Sequence, residues 1–357
     1  MRTRLQAINW RRVTTRLAVI SAVGMYLVYA LGTVVTNTNS GQGCGRTWPL
    51  CRGKFVPEFA VKTAIEYTHR VATGLEGVLI LVVAVLGLMF WRQRRELRWL
   101  LPATVIFLVI EAVLGGIIAQ IPKQPFVLAV HFGSSLILLV TVVLSAVVLY
   151  ESDGRDRVRD RPLPRGFAPA VWGLIALTYL VGYIGAYVGH LGIGLACSSW
   201  PLCRPGTLVP SLAGTTGLDI AINLLHRFSA ALLVLSTLGV FLWARRLRRG
   251  RPDLAFASTV ALVTLALQAL AGAYLVYAQL NLVSRLIHAS LVALYFIALS
   301  YMALHLLPRP AEFRTKIVPR APAGARAKAA PGSATVEGAQ PSEREAEVVS
   351  LVEGGEA

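Results

Sequence analysis

Six histidines punctuate an apolar chain of 357 residues, and four of them stand in a fixed register. His69 is followed 157 residues later by His226, and His131 by His288 at the same interval. A lone histidine in an apolar helix most often bonds to a neighbouring helix, but a fourfold pattern reverses that expectation. Two neutral imidazoles facing each other across an apolar slot suit the two axial positions of a haem iron. Zinc would want three or four ligands, and no cysteine is expected at that depth. The four histidines therefore read as axial ligands of haem iron, one pair in each half of the chain. His190 and His305 have no histidine counterpart; His190 aligns with Asn37 and at most shapes the rim of a site, and both are read as structural.

The halves disagree at the acids. Glu66 stands one helical turn before His69 on the same face, so its carboxylate is expected to point into the slot that His69 lines. At the 157-residue offset Glu66 becomes Asn223, Glu76 becomes Leu233 and Glu111 becomes Gln268, and the second half keeps only Asp219 at a helix start. Carboxylates inside apolar spans are expensive and usually functional. The first half thus reads as a reacting site, and the second as a resident haem that carries electrons or supports the fold. A plainer reading makes Glu66 a helix-start carboxylate favoured by the dipole, and Glu76 and Glu111 a pair sharing a proton. Arg70 and Arg227 each follow a histidine, and two roles stay open for them: snorkelling to the interface or neutralising a haem propionate.

Trp48-Pro49-Leu50-Cys51 recurs as Trp200-Pro201-Leu202-Cys203, and further cysteines, Cys44 and Cys197, precede the two runs. Neither pair has the two-residue spacing of a zinc ribbon or a thioredoxin-like site. Each can close a small disulfide loop above its half's histidine slot, as a staple or as a redox participant.

These residues must be positioned by membrane helices. A hydrophobic share of 55%, a charged share of 15% and a mean hydropathy of +0.61 exclude a single soluble globule, a coiled coil and a disulfide-rich secreted domain. Uninterrupted apolar stretches predict eight spans, at 17–36, 66–91, 100–121, 126–150, 168–189, 219–244, 254–280 and 284–307. Arginine clusters precede the first span and join spans two to three, four to five and six to seven, all on one side. By the positive-inside rule that side and both termini are cytoplasmic, the cysteine loops face outward, and the first span is an uncleaved helix of a multi-pass plasma-membrane protein. The net charge of +17 is then a topology signal, and nucleic acid is dropped as a partner.

The constant offset makes the chain two tandem halves. The expected fold is an all-α integral membrane protein of eight transmembrane helices, arranged as two tandem four-helix bundles related by pseudo-twofold symmetry. Residues 1–150 form the first half, 151–166 a basic cytoplasmic linker, 167–307 the second half, and 308–357 a disordered cytoplasmic tail.

The run from Thr38 through Cys51, the Glu66-x-x-His69-Arg70 motif, and His131, His226-Arg227 and His288 together resemble haem A synthase, in its Bacillus-type form with cysteine pairs in both outer loops. The resemblance covers residues 10–307 and implies an oxidoreductase acting on CH or CH2 groups. Its reaction would oxidise the C8 methyl of haem O to a formyl group through a hydroxylated intermediate, with oxygen from water, giving haem A for terminal cytochrome oxidases. It implies His69 and His131 at the substrate haem, Glu66 as the catalytic carboxylate, and His226 and His288 on a bound haem b. It further implies an outer-loop role in activity for Cys44 and Cys51, with Cys197 and Cys203 as the second pair. Haem O synthase and the cytochrome oxidase assembly are the expected partners, with an electron acceptor of unknown identity. Competing readings from the residues alone are a bis-histidine two-haem electron-transfer cytochrome, which does not account for the asymmetric Glu66, and a haem-carrying or insertion protein that changes nothing covalently.

Overall fold

The computed structural model describes residues 9–122, 124–151 and 163–307; most of the expected linker and the whole expected tail lie outside these. Among the described residues there are eight long helices: α1 (Trp10–Asn37), α2 (Val61–Phe90), α3 (Arg95–Gln120), α4 (Pro125–Glu151), α5 (Phe167–Leu191), α6 (Gly217–Leu247), α7 (Pro252–Tyr277) and α8 (Leu282–Leu304). The shortest has 23 residues, about 35 Å at 1.5 Å per residue, enough to cross a hydrocarbon core of about 30 Å. The chain is a multi-pass membrane protein.

The helices outrun the apolar stretches, chiefly at the arginine-rich end. α1 begins at Trp10, where the Asn9 side chain caps it by accepting from the Arg12 backbone N–H at 3.2 Å. α2 begins at Val61 rather than 66, which moves Glu66 from the helix start into the second turn. α7 ends at Tyr277, before Gln279 and Leu280 turn the chain with positive φ, and α5 stops at Gly192, whose φ of 75° is the left-handed conformation of a helix C-cap.

Helices α1 to α4 close a ring of neighbours, α1–α2–α3–α4–α1, and α5 to α8 close the matching ring α5–α6–α7–α8–α5. The rings meet through α1 against α8, α4 against α5 and α4 against α8. α4 is the most enclosed helix, with 14 of its 27 residues buried against 7 of 28 in α1. Two apolar cores result, one inside each ring, and the first also takes in Ala293, Phe296 and Leu304 of α8. Outward faces carry exposed apolar side chains such as Val19, Ile20, Val23 and Leu27, as lipid contact requires.

The arginine-bearing ends lie together. Arg11 Nη2 donates to the Phe90 carbonyl at 3.1 Å, joining the start of α1 to the end of α2. Arg251 Nη2 donates to the His305 carbonyl at 2.7 Å, joining the start of α7 to the end of α8. The two cysteine loops cap the opposite end.

Candidate functional site

All four registered histidines lie within the first three turns of α2, α4, α6 and α8, at the end of the bundle that the cysteine loops cap. His69 and His131 are in electrostatic reach of each other across the first ring, and His226 and His288 across the second. Glycines make room for the rings. A Cβ on Gly32 of α1 would stand 3.4 Å from His69 Cε1, and one on Gly185 of α5 would stand 2.6 Å from His226 Cε1. These two glycines are related by the 153-residue offset of Cys44 and Cys197, a signal present in the sequence and missed there. On α7, a Cβ at Gly272 would meet His288 Cε1 at 3.5 Å.

The α4 and α8 histidines each have a polar side chain of the preceding helix beside them, and here the halves differ in charge. Glu111 Oε2 lies 3.3 Å from His131 Nδ1, close but without hydrogen-bond alignment, and its carboxylate also accepts from the Ser134 and Ser135 hydroxyls. In the second half Gln268 Nε2 lies 3.2 Å from His288 Nε2. The plainer reading, in which Glu76 and Glu111 share a proton, does not match the structure: Glu76 bonds Ser21 of α1, whereas Glu111 faces α4. His190, at the end of α5, lies in electrostatic reach of both His131 and Arg285, so it stands at the rim between the halves.

Glu66 does not hang free in the slot. Its Oε1 accepts from Arg70 Nη2 at 2.6 Å and Nε at 3.1 Å, and its Oε2 accepts from the Cys44 backbone N–H at 2.8 Å. Arg70 Nη1 reaches the carbonyls of Thr47 and Leu50 at 2.6 and 3.1 Å, so both residues grip the cysteine loop. The second half repeats the grip with a neutral partner. Arg227 Nε donates to Asn223 Oδ1 at 3.0 Å, and its terminal nitrogens donate to Ser199, Leu202 and Cys197 carbonyls at 2.6, 3.1 and 2.8 Å. Asn223 Nδ2 adds bonds to the Ile193 and Gly194 carbonyls. The donors of both arginines are thus shared between the loop carbonyls and Glu66 or Asn223.

The loops themselves match. Disulfides join Cys44 to Cys51 and Cys197 to Cys203, the peptide bonds before Pro49 and Pro201 are both cis, and short bridges pair Cys51 with Lys54 and Arg204 with Thr207. All four cysteines are buried.

Residues 15–300 match the family model described as cytochrome oxidase assembly protein, COX15-CtaA. The chain belongs to this family. It is 37% identical over 288 residues to the heme A synthase of Symbiobacterium thermophilum, covering 80% of this chain and 92% of that protein. The heme A synthase of Alkalihalophilus pseudofirmus is 35% identical over 296 residues, 83% of this chain and 97% of its own, and that of Bacillus cereus is 32% identical over 289 residues, 81% and 91%.

Haem is the group that this COX15-CtaA arrangement has to accommodate, and the residues fit it. Each of the four histidines has a buried Nδ1 without a hydrogen-bond partner, and glycines at Gly32, Gly185 and Gly272 keep the helix surface back from three of the rings. Paired imidazoles are the type of donor that would hold a haem iron, and the apolar helices around them would suit the macrocycle.

Proposed function

We propose that this chain is a haem A synthase, an oxidoreductase that converts the C8 methyl of haem O to a formyl group through the alcohol, with oxygen from water. Haem O is held as substrate by His69 and His131 in the half spanning 1–150, and haem b stays between His226 and His288 in the half spanning 167–307, the two halves related by a pseudo-twofold axis. When bound, haem b supplies a one-electron redox centre close to the substrate site. Sidedness follows from the arginines: the arginine-rich end is cytoplasmic at the plasma membrane and the disulfide loops face outward. Haem O synthase and the cytochrome oxidase under assembly are the partners that would supply substrate and take product.

The observation that carries this reading is a duplicated histidine cradle with acids in only one copy. Water attack on a methyl carbon requires that the carbon first become electron-deficient, and a nearby carboxylate stabilises that charge or takes the proton from water. Glu66 is, among the described residues, the carboxylate that grips a disulfide loop beside a registered histidine, and Arg70 and the Cys44 N–H fix its oxygens at the rim. Glu111, held by Ser134 and Ser135, is the carboxylate placed beside the His131 imidazole to steady it as a ligand. Arg70 and Arg227 close the disulfide loops over the slots and exclude water from the outer face.

Co-expression with a haem O source, followed by pigment extraction and chromatography, tests the reading. Formyl haem is expected. Haem O or haem b alone, from protein with full haem content, would leave an electron-transfer or haem-carrying role instead.

A further inference from the structure

Glu76 has no part in the site described so far. It lies on α2 two turns from His69, toward the arginine-rich end, and it is buried. Ser21 Oγ of α1 donates to its Oε1 at 2.5 Å. Its other oxygen occupies the space left by a missing side chain, since a Cβ on Gly24 would stand 2.2 Å from Oε2.

Farther toward the arginine-rich end, the first ring encloses a cavity of about 10 Å³, room for the centre of one water molecule. Ser21, Thr104 and Ser145 line it among apolar side chains, and three polar partners are the usual complement of a buried water. The Thr104 and Ser145 hydroxyls already donate to the Leu100 and Thr141 carbonyls, at 2.8 and 2.7 Å, which leaves their oxygen lone pairs to accept from such a water. Ser21 is the shared member: it lines the cavity and bonds the carboxylate.

The second half shows that the fold does not need this polar column. At the repeat offsets Ser21, Glu76, Thr104 and Ser145 become Leu174, Leu233, Ala261 and Met302, and Gly24 becomes Leu177. The first four replacements are all buried in the second apolar core. The second half's own buried hydroxyl pair, Thr237 with Tyr295 at 2.6 Å, includes no carboxylate and falls at the positions of Ile80 and Leu138.

We propose that Glu76, Ser21 and the hydroxyl-lined cavity form a proton path that links the reacting half's interior to the arginine-rich side, with Glu76 as its proton-carrying relay. The proposal rests on the reading of the first half as the oxidising site. There, methyl plus water gives alcohol, two protons and two electrons; the electrons go to a quinone-class oxidant of the membrane, and the protons must leave an apolar bundle. In each transfer the Glu76 carboxyl passes its proton to Ser21 Oγ while the Ser21 hydroxyl proton passes to the cavity water. The proton leaves the water toward the arginine-rich side, a proton released at the reacting site reprotonates Glu76, and rotation of the Ser21 hydroxyl back to the carboxyl restores the pair.

The test uses the full chain in phosphatidylcholine vesicles and two readouts. Glu76→Leu installs the residue of the second half, and Thr104→Val with Ser145→Ala removes cavity hydroxyls while leaving the carboxylate in place. At unchanged bound haem, both are expected to lower haem A formation at least tenfold, with Glu76→Asp recovering part of it. In haem-free protein, the infrared carboxyl band that Glu76→Gln abolishes should shift in D2O within minutes, and at least tenfold more slowly in the cavity variant. Wild-type haem A yield from Glu76→Leu, a cavity variant that exchanges at the wild-type rate, or a Glu76 band that never exchanges would overturn the path. Wild-type protein that makes no haem A would instead defeat the functional reading, and the exchange measurement stands apart from it.

Discussion

Replacing Glu66 with glutamine separates a chemical role from a structural one, because the second half already contains the control. Glu66 accepts three hydrogen bonds, two from Arg70 and one from Cys44, and the pair is well buried, with side-chain exposures of 14% for Arg70 and 6% for Glu66. Removing the side chain in Glu66→Ala strands a buried guanidinium and a backbone N–H, a loss of about 3–5 kcal/mol. Glutamine keeps one acceptor oxygen, for Arg70 or for the Cys44 N–H but not for both at once, and Asn223 shows that a neutral amide holds an equivalent arginine at 3.0 Å. Charge-assisted bonds are about twice as strong as neutral ones, so the change from carboxylate to amide should cost about 1–2 kcal/mol. Glu66→Gln should therefore melt only a few degrees below wild type and load haem normally, whereas conversion of haem O to the alcohol and aldehyde collapses. Thermal melting, bound haem and haem A yield measured on one preparation check this. A Glu66→Gln protein with full haem A yield would refute the catalytic role and leave Glu66 as a loop clamp.

Gly185→Ala places a Cβ 2.6 Å from His226 Cε1 and should displace that ring, stripping or shifting the low-spin haem spectrum, whereas Gly32→Ala, at 3.4 Å from His69, should be milder; equal spectra for both would contradict the cradle. His226→Ala and His288→Ala should each remove the resident haem from protein made without haem O, as read by pyridine haemochrome content, and unchanged content in the double variant would exclude that ligand pair. Mass spectrometry of unreduced, alkylated peptides should recover both the Cys44–Cys51 and Cys197–Cys203 links. Losing either link to paired serines should destabilise the protein by about 2–3 kcal/mol, given loops of seven to eight residues.

The sequence carried the helices and the repeat well, because a membrane span is a long apolar run and a duplicated chain keeps its offsets. It carried side-chain direction poorly. α3 and α7 are apolar nearly all round, so nothing local fixes which way they are rotated, and the pairing of Glu76 with Glu111 failed for that reason: Ser21 draws one acid to α1, and Ser134 and Ser135 draw the other to α4. The position of Glu66 beside His69 was legible, but not the turn of its carboxylate toward the loop. That direction depends on Cys44 and on Arg70, whose partners are loop carbonyls 20 to 23 residues away. Gly32 and Gly185 were legible in principle, since their offset equals that of the cysteines, yet a glycine in a membrane helix is common enough to pass unnoticed.

The duplication sorts these residues by role. Where the halves agree, in the four histidines, the glycines against His69 and His226, the loop-gripping arginines and the disulfides, both copies meet one requirement: a closed slot that can hold a haem. Where they disagree at Glu66, Glu76, Glu111 and the cavity hydroxyls, the first half is the more acidic or polar, whereas Thr237 and Tyr295 of the second half stand where the first has Ile80 and Leu138. Glu111 against Gln268 is the sharpest case, because an acid and its amide stand beside the α4 and α8 histidines, Glu111 against His131 Nδ1 and Gln268 against His288 Nε2. A carboxylate next to a ligand imidazole makes it a stronger electron donor to a metal, and an amide does so far less. The two serines that hold Glu111 in place become Leu291 and Val292 in the second half, so the carboxylate and its supports come and go together. Two otherwise similar slots thereby differ in charge, and carboxylates within membrane helices are expensive to keep, which is what the proposed reaction in the first half accounts for.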